Sequence, residues 1–193
     1  IDGLVTYDRR HGYRGPERRL PGAGDAGPPL EAWSEVLAET PVIAGMTPAV
    51  VLTVDEEGAD LLLADDERAR LPFENGIRQA RRYVNEDRTA SGPDSAGELL
   101  SVGDLIRISP REGEDGAAPS WQLSQVPAAQ AALLSLDPRD GAIVSLVGGS
   151  DFALTKFNRA TQAQRQPGSN FKPFLYSAAF DAGFSAASII NDA

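Results

Sequence analysis

Residues 49–64 place two apolar runs on either side of an acidic turn, an arrangement that leaves little room for anything but a β-hairpin. Ala49-Val50-Val51-Leu52-Thr53-Val54 is rich in β-branched residues and too short for a stable helix. Asp55-Glu56-Glu57-Gly58 supplies the turn, and Ala59-Asp60-Leu61-Leu62-Leu63-Ala64 returns. More strand signals follow. A third strand is expected around Ala69-Arg70-Leu71-Pro72, with Pro72 at its end or on an edge. Leu105-Ile106-Arg107-Ile108 alternates, as does the run from Trp121 to Val126. Between them, residues 77–83 read as helical with Arg78, Arg81 and Arg82 outward, and the acidic, Gly-rich stretch 110–119 reads as a loop.

Five short strands with turn-led starts predict a partly open barrel of the oligonucleotide/oligosaccharide-binding (OB) type over residues 42–126. Residues 1–41 read as a connector. Its Gly- and Pro-rich part, residues 21–29, has almost nothing to bury, so the segment is expected to be mobile or held by neighbours. Trp33, Val36 and Leu37 are spaced for one apolar face of a short helix. At Pro127 the pattern changes. Asp137-Pro138-Arg139-Asp140-Gly141 is a tight turn, and the unbroken apolar run 142–147 predicts a hairpin strand buried on both faces; without the rest of its domain this strand and the helix after it are expected to be exposed, mispaired or disordered. Residues 150–166 are polar and irregular. After Pro167-Gly168 comes a helix with an apolar stripe at Phe171, Phe174, Leu175 and Ala178, capped by Gly183. The fold class expected is therefore mainly β with some α.

The 193 residues carry a net charge of −10, concentrated outside the slightly basic first twenty. Such a body repels phosphate backbones, which weighs against nucleic-acid binding. A barrel for single strands also calls for stacking aromatics, and aromatic residues are sparse here. No cysteine is present, so disulfides and thiolate metal sites are excluded. No stretch approaches the roughly 20 apolar residues of a membrane helix. His11 has no second His to make a metal site, and the acidic clusters lack the spacing of a calcium loop. Trp33 and Trp121 read as packing residues rather than sugar platforms.

The chemistry-bearing pair is Ser169-x-x-Lys172 at the start of the last helix. Residues three apart share a helical face, which puts an amine within reach of a hydroxyl. A serine hydroxyl needs a nearby base to attack a carbonyl, and a lysine serves where its surroundings favour the neutral amine. The helix N-terminus adds amide donors suited to an oxyanion. Taken alone the pair is ambiguous. Ser169 is also a good N-cap, and Lys172 would then be a solvated first-turn residue. Lys172 is, however, one of two lysines in a chain that otherwise uses arginine.

The run from Phe157 through Gln166-Pro167-Gly168-Ser169-Asn170-Phe171-Lys172-Pro173-Phe174 resembles the active-serine segment of class A penicillin-binding proteins. Residues 137–141 with Val147-Gly148-Gly149 resemble the opening hairpin of the same domain, and residues 187–193 the stretch after the serine helix. Residues 7–16 are similar to the connector of the 1A subgroup, which inserts an OB-type barrel where residues 42–126 lie. The resemblance implies that residues 127–193 open an α/β transpeptidase domain. It also implies that Ser169 is the acyl-enzyme nucleophile, with Lys172 as its base.

The family's Ser-x-Asn and Lys-Thr-Gly motifs would follow Ala193. A glycosyltransferase domain and a membrane anchor would precede Ile1, the only link to a membrane. Expected partners are peptidoglycan stem peptides and glycan strands, together with β-lactam antibiotics. An outer-membrane lipoprotein or other activator is a further candidate at the barrel, and no cofactor is expected. The expected location is the periplasmic side of the bacterial inner membrane. A second reading treats residues 42–126 as a non-catalytic module that binds glycan or a regulatory protein.

Overall fold

The computed structural model describes residues 1–22, 28–112 and 119–190. In chain order the helices are α1 (Asp2–Arg10), α2 (Leu30–Glu39), α3 (Arg159–Gln162) and α4 (Lys172–Asp181). The strands are β1 (Arg18–Arg19), β2 (Thr47–Asp55), β3 (Gly58–Leu62), β4 (Arg68–Pro72), β5 (Tyr83–Asn85), β6 (Arg88–Thr89), β7 (Asp104–Arg111), β8 (Ser120–Ser124), β9 (Leu133–Leu136) and β10 (Ile143–Val147). Two compact units result, Ile1–Ala160 and Thr161–Ala193.

In the first unit an antiparallel sheet runs β1-β7-β2-β3-β4, with β8 on β7 as well. The β2–β3 hairpin forms around the predicted turn, pairing Val54 with Ala59 and Val50 with Leu62. Its register slips by one residue between Val51 and Thr53, a bulge that bends β2. β4 and β8, at opposite ends of the sheet, come close without a hydrogen-bonded ladder. The result is a partly open barrel of the expected OB-like type.

The sheet is apolar on both faces. One face turns Ala49, Val51, Leu61, Ile106, Ile108 and Leu123 into the barrel interior, where Leu71, Ile77, Leu99 and Leu100 complete the core. The other face packs Val50, Leu52, Leu62 and Leu105 against Leu20, Trp33 and Leu37. Alternation along β7 therefore distributes side chains between two cores rather than between core and water. Trp33 and Leu37 are each 1% exposed, and α2 lies on its predicted apolar face. Trp121 packs at the edge of the interior core.

The stretch 12–20 is held by its neighbours. The Glu17 amide donates to the Leu105 carbonyl (2.9 Å) and the Leu20 amide to Gly103 (2.8 Å). Arg19 donates to the fully buried Asp104 (2.7 Å), whose other oxygen accepts the Ser101 amide. Buried Arg107 makes a two-pronged pair with Glu17 and also donates to the Pro41 and Met46 carbonyls. A buried guanidinium is tolerable only with such complete pairing. Burial, reinforced by Asp104 and Glu17, pushes the Tyr13 phenol well above its ordinary range. Most of residues 21–29, expected to have nothing to bury, fall outside the described residues, as does most of the 110–119 loop.

Three sequence expectations are corrected. Residues 77–83 do not form a helix. A π-type turn spans Phe73–Ile77, and the chain then pairs with Tyr13, whose amide donates to Arg81 and whose carbonyl accepts from Tyr83. Those bonds, together with the β5–β6 hairpin, use the amides a helix would need. β7 runs on to Arg111, beyond the expected start of the loop at Pro110, because β8 pairs with it as far as Ser120. Finally, β9 and β10 form the predicted hairpin, but it is not buried on both faces. Leu136, Ile143 and Val144 are 50%, 62% and 68% exposed.

Candidate functional site

The site is built on the entrance to α4. Pro167 starts a 3-10 turn over Gly168–Phe171, and α4 begins at Lys172 with Pro173 in its first turn. A proline there forfeits no hydrogen bond, since the first helical amides lack partners anyway. Gly168 sits at φ 52°, a left-handed value that suits a residue with no Cβ. The Asn170 amide donates to Pro167 (3.1 Å) and the Lys172 amide to the Ser169 carbonyl. The Ser169 amide thus lies ahead of the first bonded amide, at the open, electropositive end of the helix.

Ser169 and Lys172 stand three residues apart across this turn, where 3-10 geometry nearly eclipses such a pair. Both are exposed. Ser169 makes no side-chain cap bond to either helical segment, so the N-cap role that its position invites is not taken up. Phe171 and Phe174 stack with ring centres 5.8 Å apart, and Phe174, Leu175 and Phe180 are each more than half exposed. Apolar side chains are thus spread around α4 rather than gathered on the single stripe expected. The far end closes as predicted. Gly183 donates to Phe180 and Phe184 to Ala179, each at 3.0 Å, a Schellman closure.

Other charged groups fall into supporting roles. The His11 ring shares a hydrogen bond with the Tyr7 carbonyl at the end of α1 (2.9 Å). Asp137 in the β9–β10 turn is held below its ordinary range by Arg139. Asp151 is lowered by accepting the Ala44 and Ala153 amides. Sequence reasoning singled out neither Asp8 nor Asp151, although each ties segments more than 100 residues apart. No local pattern signals such partners.

The sequence pattern of the penicillin-binding protein OB-like domain matches residues 13–129, and that of the penicillin-binding protein transpeptidase domain matches residues 131–193. The chain is 45% identical to penicillin-binding protein 1A of Pseudomonas aeruginosa over 192 residues, and 42% identical to that of Vibrio cholerae over 193. This chain belongs to the penicillin-binding protein 1A family. In the crystal structure of penicillin-binding protein 1A from Haemophilus influenzae, the similarity covers all of this chain and 26% of the other, with a TM-score of 0.76 and 35% identity. The chain spans 22% and 23% of the Pseudomonas and Vibrio proteins. It thus holds the OB-like domain and the start of the transpeptidase domain of a penicillin-binding protein 1A. No helix among the described residues is long and apolar enough to cross a membrane.

Proposed function

We propose that this chain carries the acyl-transfer serine of a peptidoglycan D,D-transpeptidase, with Ser169 as nucleophile and Lys172 as base. The Ser169 hydroxyl attacks the penultimate D-alanine carbonyl of a stem peptide while Lys172 takes its proton. The resulting oxyanion lies toward the Ser169 amide at the helix mouth. Collapse of the intermediate returns the proton to the departing terminal D-alanine and leaves an acyl-enzyme. An amine of a second stem then attacks that ester and releases Ser169. A β-lactam acylates the same hydroxyl.

Residues 1–41 serve as connector, 42–126 as the OB-like domain and 127–193 as the opening of the transpeptidase domain. The matched span 131–193 begins close to the second of these boundaries, whereas the matched span 13–129 takes in residues 13–41 as well as 42–126. At the full length of its relatives, the protein also polymerises glycan and works on the periplasmic side of the inner membrane.

The observation that carries this reading is the placement of Ser169 and Lys172 one turn apart at the open end of α4. Its test is fluorescent-penicillin labelling of the protein at the full length of its relatives, comparing the parent with Ser169→Ala and Lys172→Arg. Both substitutions abolish labelling on this reading. Labelling that survives Ser169→Ala refutes it.

A further inference from the structure

The turn that leads into β2 holds an alanine where a glycine would be at ease. The Met46 amide donates to Ile43 at 2.8 Å and the Ile43 amide to Met46 at 3.2 Å, around the two-residue loop Ala44-Gly45. Both loop residues have positive φ, 51° and 77°, as a type I′ turn requires. Asparagine or glycine ordinarily fills such positions, and another residue stays there only where its surroundings fix it. On one side the barrel does so. Buried Arg107 donates to the Met46 and Pro41 carbonyls, and Ile43 and Met46 are themselves buried.

On the other side the turn is held from far along the chain. The Ala44 amide donates to Asp151 Oδ2 at 2.6 Å, while Oδ1 of the same carboxylate accepts the Ala153 amide at 2.7 Å. These amides, Ala44 foremost, keep the carboxyl below its ordinary range, so it is ionised at neutral pH and the bonds are charge-assisted. Asp151 lies four residues beyond β10, in a loop closed by the Arg159 amide donating to Gly148 (2.8 Å). Ala128, five residues before β9, is tied to Asp8 (3.0 Å). The β9–β10 hairpin is thus anchored to the barrel side both before it and after it. One anchor alone would leave a swivel. The second sets a direction.

We propose that Asp151 is a latch that fixes the orientation of the β9–β10 hairpin on the barrel, with Asp8 and Ala128 as the pivot about which the hairpin turns once the latch opens. The latch is releasable because it rests on a carboxylate–amide bond between two half-buried residues at the surface. It does not depend on the chemistry of Ser169.

The test is NMR on the whole 193-residue chain, comparing the parent with Asp151→Ala and Asp151→Asn. In the parent, residual dipolar couplings of the barrel strands and of residues 133–147 are expected to fit one alignment tensor, and the Ala44 amide to exchange slowly. In Asp151→Ala the hairpin couplings depart from the barrel's tensor. Ala44 exchange there accelerates by about tenfold or more, as the loss of one charge-assisted bond implies. The barrel strands keep their couplings, which shows that the variant is folded. Asp151→Asn retains an acceptor oxygen and keeps part of the protection. Three results would overturn the proposal: parent couplings that already need two tensors, an Asp151→Ala hairpin that still shares the barrel's tensor, or Ala44 exchange unchanged in that variant. Collapse of the barrel spectrum in both variants would also overturn it, since Asp151 would then serve the barrel's own folding.

Discussion

Asp8 grips Arg14 through two parallel hydrogen bonds of 2.9 Å, and the same carboxylate accepts the Ala128 amide at 3.0 Å. Arg14 also donates to the Val126 carbonyl, and Gln125 bonds to both Gly12 and Arg14. The segment leading into the barrel and the segment leaving it are thereby joined at one point. Asp8 is 3% exposed, so removing it strands the guanidinium and an amide together.

Asp8→Ala is therefore expected to cost about 2–3 kcal/mol, less than a fully buried pair because Arg14 is partly solvated. Urea unfolding of the single and double Asp8/Arg14 variants measures the coupling. A change below about 0.5 kcal/mol would mean that the grip is ornamental.

Gly58 offers a sharper steric case. Its φ is 148°, and a Cβ there would lie 2.1 Å from the Leu71 carbonyl oxygen in the paired strand β4. Neither backbone can yield without breaking the β3–β4 ladder. Gly58→Ala should destabilise the chain by about 3 kcal/mol, readable as a lowered denaturation midpoint.

The Asp55 carboxyl is held below its ordinary range, chiefly by its 2.6 Å bond from Arg70. A depressed folded-state pKa gives stability that is fully present above the unfolded value. That stability is lost as pH falls through the folded one. In Arg70→Ala the Asp55 titration, followed by carboxyl carbon NMR, should move up toward the ordinary carboxylate range. An unmoved titration would assign the shift to the turn amides instead.

The exposed hairpin and helix predict how the chain behaves in isolation. Leu136, Ile143, Val144, Phe174 and Leu175 present apolar surface to water, so the chain should bind a hydrophobic dye. Val144→Lys should reduce that binding and change stability by no more than about 0.5 kcal/mol. A large loss of stability would show that Val144 packs against something in solution.

The parts of this fold written in local pattern were legible. The β2–β3 hairpin follows from β-branched runs around an acidic turn, and α2 from the spacing of Trp33 and Leu37. The docking of residues 12–20 was not, because it rests on Asp104 and Arg107, some ninety residues away. The absent helix over 77–83 has the same cause. Its arginines suit a helix, but Tyr13 recruits the backbone of Arg81 and Tyr83 instead. The two-sided burial that the apolar run of β10 calls for is not met here, while the exposure expected of it without the rest of its domain is, since an apolar strand records what a domain's partners cover. Ser169 and Lys172 were singled out by spacing and resemblance together, and spacing alone left a capping role open.

Mass spectrometry of the penicillin-treated protein, at the full length of its relatives, tests the central claim most directly. The account predicts a single covalent adduct on the peptide containing Ser169, absent after Ser169→Ala. An adduct on any other residue, or one that persists in that variant, would contradict it.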